Sequence, residues 1–292
     1  MKMKKALTAV TVTGALGVTG VALGGCGATA DLDPVAQAAD TTASLPGMQI
    51  AIDETVKTPA SAQSITLGGH GYVNEKQNDG VLVFDLSQIP GISSLGGGSK
   101  NLTIEYTYPV LYLNAPFLGS GLGGKSWLKV NLNSVLSSSG VDLSSLQSEG
   151  GLDPSQYLNF LRASSGGLQT VGTETIDGVP TTHYHAVIQL GDVADSVPSA
   201  QRAAVRSSIA ILEKEANVKT FPVDVWIDAN HRVRQISFTI SPTTSAGTST
   251  VSSTIDFTSF GPTPAVTPPP AGQVYDATKL LAGAEGGSGS GL

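Results

Sequence analysis

The sequence predicts an α+β protein in which antiparallel strands dominate and helices cover one face of a sheet. Three observations carry that prediction. About ten segments alternate apolar and polar side chains with period two, and Gly, Asn, Asp or Pro separates most of them. Only two stretches instead repeat apolar side chains at the three-to-four-residue spacing of an amphipathic helix.

At the N-terminus Lys2, Lys4 and Lys5 precede a charge-free apolar run over 6–23, followed by Gly24, Gly25 and the chain's single cysteine, Cys26. A basic stub, an apolar stretch and small residues before a cut site make up an export signal. Leu23-Gly24-Gly25-Cys26 resembles the lipobox of bacterial lipoproteins. The resemblance implies a signal peptide over 1–25, cleavage before Cys26 and acylation of its sulfur. The protein would then be anchored at the extracytoplasmic face of the cell membrane, where two or three acyl chains hold firmly. A lone thiol has no disulfide partner within its chain, so lipid attachment accounts for both its presence and its position. Loss of 1–25 removes three lysines and no acid and takes the net charge from −7 to −10. Such an acidic body excludes nucleic acid as a partner, and it leaves the anchor rather than a basic patch to hold the membrane.

Residues 26–47 are small and polar with scattered Asp and read as a flexible tether. The folded body is expected over 48–260. Beyond it, the proline-rich 262–270 favours extended backbone and 283–292 has nothing to bury, so 261–292 reads as a Pro/Gly-rich segment with a disordered end.

Within the body, strand-like alternation runs over 49–57, 65–74, 81–86, 102–113, 125–132, 168–176, 181–190, 218–228, 232–240 and 248–257. Asp177-Gly178 is the sharpest hairpin signal and 228–231 supplies a second short turn, so neighbouring strands are expected to run antiparallel. Asp153-Pro154 places a capping carboxylate before a proline at a first helical position, and Tyr157, Leu158 and Leu161 follow on one face. A longer helix is expected from near Pro198, with Val205, Ile209, Leu212 and Ala216 along its apolar stripe.

One face of the strands is apolar throughout. Leu82, Phe84 and Leu86 share it, as do Tyr184, Ala186, Ile188 and Leu190, then Val223, Val225 and Ile227, then Ile236, Phe238 and Ile240. Such a face must be covered. Two helices can cover it tightly, as a core, or loosely, as a cavity of lipid size, and periodicity alone leaves both open.

The order of several segments is distinctive: 124–130 (GKSWLKV), Leu152-Asp153-Pro154, 171–184 (VGTETIDGVPTTHY) and 223–228 (VDVWID). In this order they resemble the actinobacterial lipoproteins with a LolA-like fold, the group containing the mycobacterial LppX and LprG. The resemblance covers most of the chain after Cys26, although each motif taken alone describes strand and hairpin chemistry. It implies a curved, incomplete antiparallel β-barrel with helices packed into its open face. It also implies an apolar pocket for a lipid or glycolipid acyl chain and transfer of that lipid across the cell envelope. The residues expected to line the pocket rest on pattern: Leu82, Phe84, Leu86, Tyr184, Ile188, Leu190, Val205, Ile209, Leu212, Val223, Val225, Ile227, Ile236 and Phe238. Each methylene shielded from water stabilises such a complex by about 0.8 kcal/mol, with no catalytic group and no cofactor required. The expected state is a monomer. The alternative is a non-catalytic envelope sensor or interaction scaffold on the same fold, with its core filled.

Other motifs carry less. Residues 119–126 (GSGLGGKS) match G-x-x-x-x-G-K-S, but a phosphate loop must open into a helix and 127–132 alternates like a strand. His183 and His185 lie two apart, with Asp224 and Asp228 on another strand, and could hold a metal; the plainer expectation is that both histidines face solvent. Trp127 and Trp226 could stack on a sugar, although strand aromatics more often serve packing. No serine sits in G-x-S-x-G and no histidine has a recognisable catalytic partner, so no enzyme is expected.

Overall fold

The computed structural model describes residues 34–280, apart from 60–63, 75, 95–97, 118–121, 135–167, 197–201, 203–205, 207–208, 211–212, 215 and 246. In chain order the elements are α1 (Pro34–Ala43), β1 (Met48–Lys57), β2 (Ile65–Asn74), β3 (Asp79–Asp85), β4 (Asn101–Thr107), β5 (Val110–Asn114), β6 (Trp127–Asn131), β7 (Gln169–Ile176) and β8 (Val179–Gln189). There follow α2 (Leu190–Ser196), β9 (Thr220–Asp228), β10 (Val233–Ile240), the two-residue β11 (Thr243–Thr244) and β12 (Gly247–Thr248), β13 (Thr250–Phe260) and β14 (Val274–Asp276).

Twelve of these strands form one open sheet in the order β14-β6-β5-β4-β3-β2-β1-β13-β10-β9-β8-β7. The sheet is curved and unclosed, and with its helices it makes the expected α+β architecture. Two meanders, β1 to β6 and β7 to β10 with β13, join at the centre where Met48–Lys57 pairs antiparallel with Thr250–Phe260. Asp177-Gly178 turns the β7–β8 hairpin, with both residues at positive φ.

The strand expected over 102–113 is instead two. Tyr108 and Pro109 turn the chain between β4 and β5, which pair antiparallel, because proline cannot donate into a ladder. The expected helix near 153 lies outside the described residues. Those described between 202 and 216 are helical, with Ile209 and Ala216 buried.

Two further expectations are overturned. Part of the supposed tether is helix α1, whose Val35, Ala38, Ala39 and Thr42 recur at helical spacing and are all buried in the main core. Pro34 suits a first helical turn because its missing N–H has no partner to lose there. At the other end, the described residues 261–280 do not leave the body, and the end expected to be disordered, 283–292, lies outside the described residues. The Gly261 N–H donates to the Gly47 carbonyl, the Val266 N–H bonds Asp79, and Val274–Asp276 pairs in parallel with Trp127–Lys129. This strap touches Gly47 just before β1 and Asp79 of β3, and it covers the sheet edge at β6, giving that strand's free polar groups partners.

Candidate functional site

Cross-strand register brings the apolar positions into continuous rows. One row runs Tyr184, Val225, Ile236, Ile255, Ile52, Gly69, Phe84 and Leu102. Beside it, towards one end of the strands, lie Ala186, Val223, Phe238, Ser253, Glu54 and Leu67. On its other side Ile50, Gly71, Leu82, Ile104, Leu113 and Leu128 continue the face to β6.

Cover over this face is uneven. Helix α1 lies on β9 and β10, and Val193, Ala194, Ile209 and Ala216 join the same cluster. Beneath them Val225 is 1% exposed and Ile236 fully buried, with Ile188, Leu190, Val223, Ile227 and Phe238 also buried. On the same face Tyr184, Ile52, Phe84, Ile104 and Leu111 are apolar side chains that are only half-buried. Phe84 reaches across bare backbone, since a Cβ built at Gly69 would sit 2.6 Å from its ring. Glycine is required there by the close approach of an aromatic ring rather than by a turn.

Of the sequence-derived pocket residues, Leu82, Phe84, Tyr184, Ile188, Leu190, Ile209, Val223, Val225, Ile227, Ile236 and Phe238 all belong to or pack against the main cluster. Leu86 does not. It follows the end of β3 and packs in a separate small cluster with Ile92, Ala115 and Phe117. Val205, Leu212 and Cys26 lie outside the described residues. Among the described residues no helix is long and apolar enough to cross a membrane.

Sequence reasoning missed Glu54. On β1 the inward residues are Met48, Ile50, Ile52, Glu54 and Val56, so a carboxyl interrupts an otherwise apolar alternation. Its Oε1 is buried without a hydrogen-bond partner, and burial pushes its pKa above the ordinary 4.5. The acid-in-alternation pattern was the available signal.

The outer face is polar and internally paired. His183 Nδ1 and Nε2 bridge Glu174 Oε1 at 2.9 Å and Asp224 Oδ1 at 2.8 Å, and His185 Nδ1 meets the same Asp224 oxygen. Trp226 stacks on His183 with centroids 4.3 Å apart and donates its Nε1–H to Glu174 Oε2. The Trp226 and His183 bonds hold the Glu174 carboxyl below its ordinary value. His183 is thus largely covered rather than solvent-facing, and Trp226 packs on it instead of presenting a sugar platform. Among the described residues no three His, Cys, Asp or Glu side chains group to hold a metal.

At the end of β9, burial alone would push the Asp228 carboxyl up, but bonds from Arg232, Arg234 and Asn230 bring it below the ordinary value. Both guanidiniums lie over the Phe260 ring, tying the 228–234 turn to β13. The G-x-x-x-x-G-K-S lysine, Lys125, donates to the Gly272 carbonyl of the strap, and the residues after Ser126 form β6. That local structure is incompatible with a phosphate loop.

Face and topology define an open sheet, antiparallel except at β14, with one apolar face partly covered by helices. Among solved structures, the lipoprotein LppX of Mycobacterium tuberculosis is similar over 82% of this chain and 100% of its own, at TM-score 0.45 and 16% identity. LprF of Mycobacterium bovis is similar over 81% and 95%, at TM-score 0.43 and 14% identity. LppX is one of the two lipoproteins that exemplify the group the sequence resembles. An uncharacterized 31.2 kDa protein of Streptomyces griseus is 27% identical over 139 residues. That match spans 46% of this chain and 44% of the relative, so the chain aligns with less than half of the relative's length. No family model matches the chain.

Proposed function

We propose that this chain is a lipid-anchored extracytoplasmic protein, held through acylated Cys26, that shelters a lipid or lipoglycan acyl chain on its apolar face and transfers it across the cell envelope. The observation that carries this reading is the uneven cover of that face. Side chains as apolar as Phe84, Ile104 and Leu111 stay half-buried beside a core that is otherwise closed. An apolar strip over β1, β3, β4 and β5 left partly uncovered beside a closed core favours an apolar occupant. The acyl chain lies along Ile52, Phe84, Ile104 and Leu111, while Tyr184, Val223, Val225, Ile227, Ile236 and Phe238 form the wall that sets its depth. The lipobox of residues 23–26 supports the anchor, and the resemblance to the actinobacterial lipoproteins supports the ligand class.

A second reading, a sensor or scaffold with a filled core, draws on the tight packing beneath α1. The two are separated by native mass spectrometry of the full chain purified from an actinobacterial host. A stoichiometric acyl mass that leaves on denaturation and enters an organic extract supports carriage. A chain carrying only the covalent acyl mass on Cys26, and none after incubation with envelope lipids, supports the scaffold.

A further inference from the structure

Glu54 is the one acidic residue on the inward face of β1, with Ile52 and Val56 before and after it on that face. Across the strands it faces Ser253 of β13, itself buried, and Leu67 of β2, and Phe238 lies beyond Ser253 in the same row. One row further out come Ile240, Val251, Val56 and Ile65, all half-buried. The carboxyl is thus set inside the apolar face, inward of its rim.

Its Oε1 is closed off from solvent and makes no hydrogen bond among the described residues. No basic group lowers its pKa, and desolvation alone acts on it. A buried polar atom without a partner is costly and few native positions tolerate one. Where such an atom lies on a face open to a ligand, the missing partner belongs to that ligand.

Resting on the lipid-carrier reading, we propose that Glu54 is a polar subsite within the apolar face and that the preferred ligand places a hydroxyl group against it. The chemistry of the row selects among polar groups. A hydroxyl donates one hydrogen and accepts another, so it satisfies the carboxyl whether ionised or protonated. An ammonium brings three donors; beyond the carboxyl only the Ser253 hydroxyl can accept one, and Ile52, Val56, Leu67 and Phe238 accept none. A fatty-acid carboxylate sets like charge against like. An ether or ester of the same length supplies no donor to an ionised Glu54.

The test displaces a neutral naphthylamine fluorophore from the full chain carrying Cys26→Ala, using dodecanol, dodecyl methyl ether, dodecylamine and lauric acid as competitors. Dodecanol is expected to compete about fivefold to tenfold more tightly than its methyl ether, in keeping with one net hydrogen bond. Lauric acid is expected to be weaker than dodecanol at neutral pH. In Glu54→Leu the alcohol and ether should compete equally, with ether binding unchanged or improved; in Glu54→Gln, whose amide oxygen still accepts, part of the preference should remain. Glu54→Leu replaces an unpaired polar group with an apolar one and is expected to fold. The proposal is overturned if the alcohol preference is absent from the parent, if it survives in Glu54→Leu, or if the amine outcompetes the alcohol. When all four probes bind alike and Glu54→Leu changes nothing, the subsite fails while the lipid reading stands. When no probe displaces the fluorophore, both fail.

Discussion

Replacing Thr42 by Val tests whether helix α1 is an integral part of the body. Thr42 is fully buried, and its Oγ1 accepts the backbone N–H of Val233 at 2.9 Å. That N–H lies where the β9–β10 register shifts, so no neighbouring strand serves it. Valine matches threonine in shape and nearly in helix propensity, so the exchange removes only the acceptor. A buried donor left unsatisfied costs about 1–3 kcal/mol. With a urea m-value of about 2–3 kcal/mol/M, a loss of about 2 kcal/mol lowers the unfolding midpoint by about 0.7–1 M at unchanged slope. Thr42→Ser keeps the acceptor and loses one methyl, for about 1 kcal/mol. The assay is equilibrium urea unfolding followed by the fluorescence of Trp127 and Trp226. A Thr42→Val midpoint equal to the parent's, or a Thr42→Ser chain less stable than Thr42→Val, would refute the argument that this hydroxyl docks the helix.

Two other predictions follow from the inner face. Burial raises the Glu54 pKa in the folded chain, so the folded state binds that proton more tightly than the unfolded state. Stability should therefore be fully present below the ordinary value of 4.5 and fall as pH rises through the folded-state pKa, a slope that Glu54→Gln removes and that paired urea midpoints across pH would measure. Gly69→Val drives a branched side chain into the Phe84 ring and should cost about 1–3 kcal/mol. Phe84→Ala in the same chain should recover part of that loss, and strict additivity of the two substitutions would show that they do not meet.

Most of the sheet was legible because each of its long strands has one covered face, which stamps alternation onto segments such as Tyr184 to Leu190 and Ile236 to Ile240. The β4–β5 hairpin was not, since Tyr108 and Pro109 interrupt an apolar run without the glycine or asparagine that marks most tight turns. Helix α1 escaped because its inward stripe is one valine, two alanines and a threonine, a pattern too small to stand out from a polar tether. Asp33-Pro34 nevertheless offers the same start signal that Asp153-Pro154 does. The strap was missed for a different reason: prolines correctly announce extended backbone, but no local pattern says what that backbone lies against. At the site, sequence found the apolar face and overlooked its one carboxyl, because an average over a strand discounts a single exception.

The strap also fixes when the fold can be completed. Lys129 bonds Asp276 across 147 residues of sequence, and β1, the first strand of the sheet, pairs with β13, the last of its long ones. Closing loops of that size costs conformational entropy before any contact repays it. A chain delivered from its N-terminus must hold β1 and β6 with open edges until nearly all of it has arrived. Until then both edges are sticky, and a chaperone that shields them has its task defined by topology.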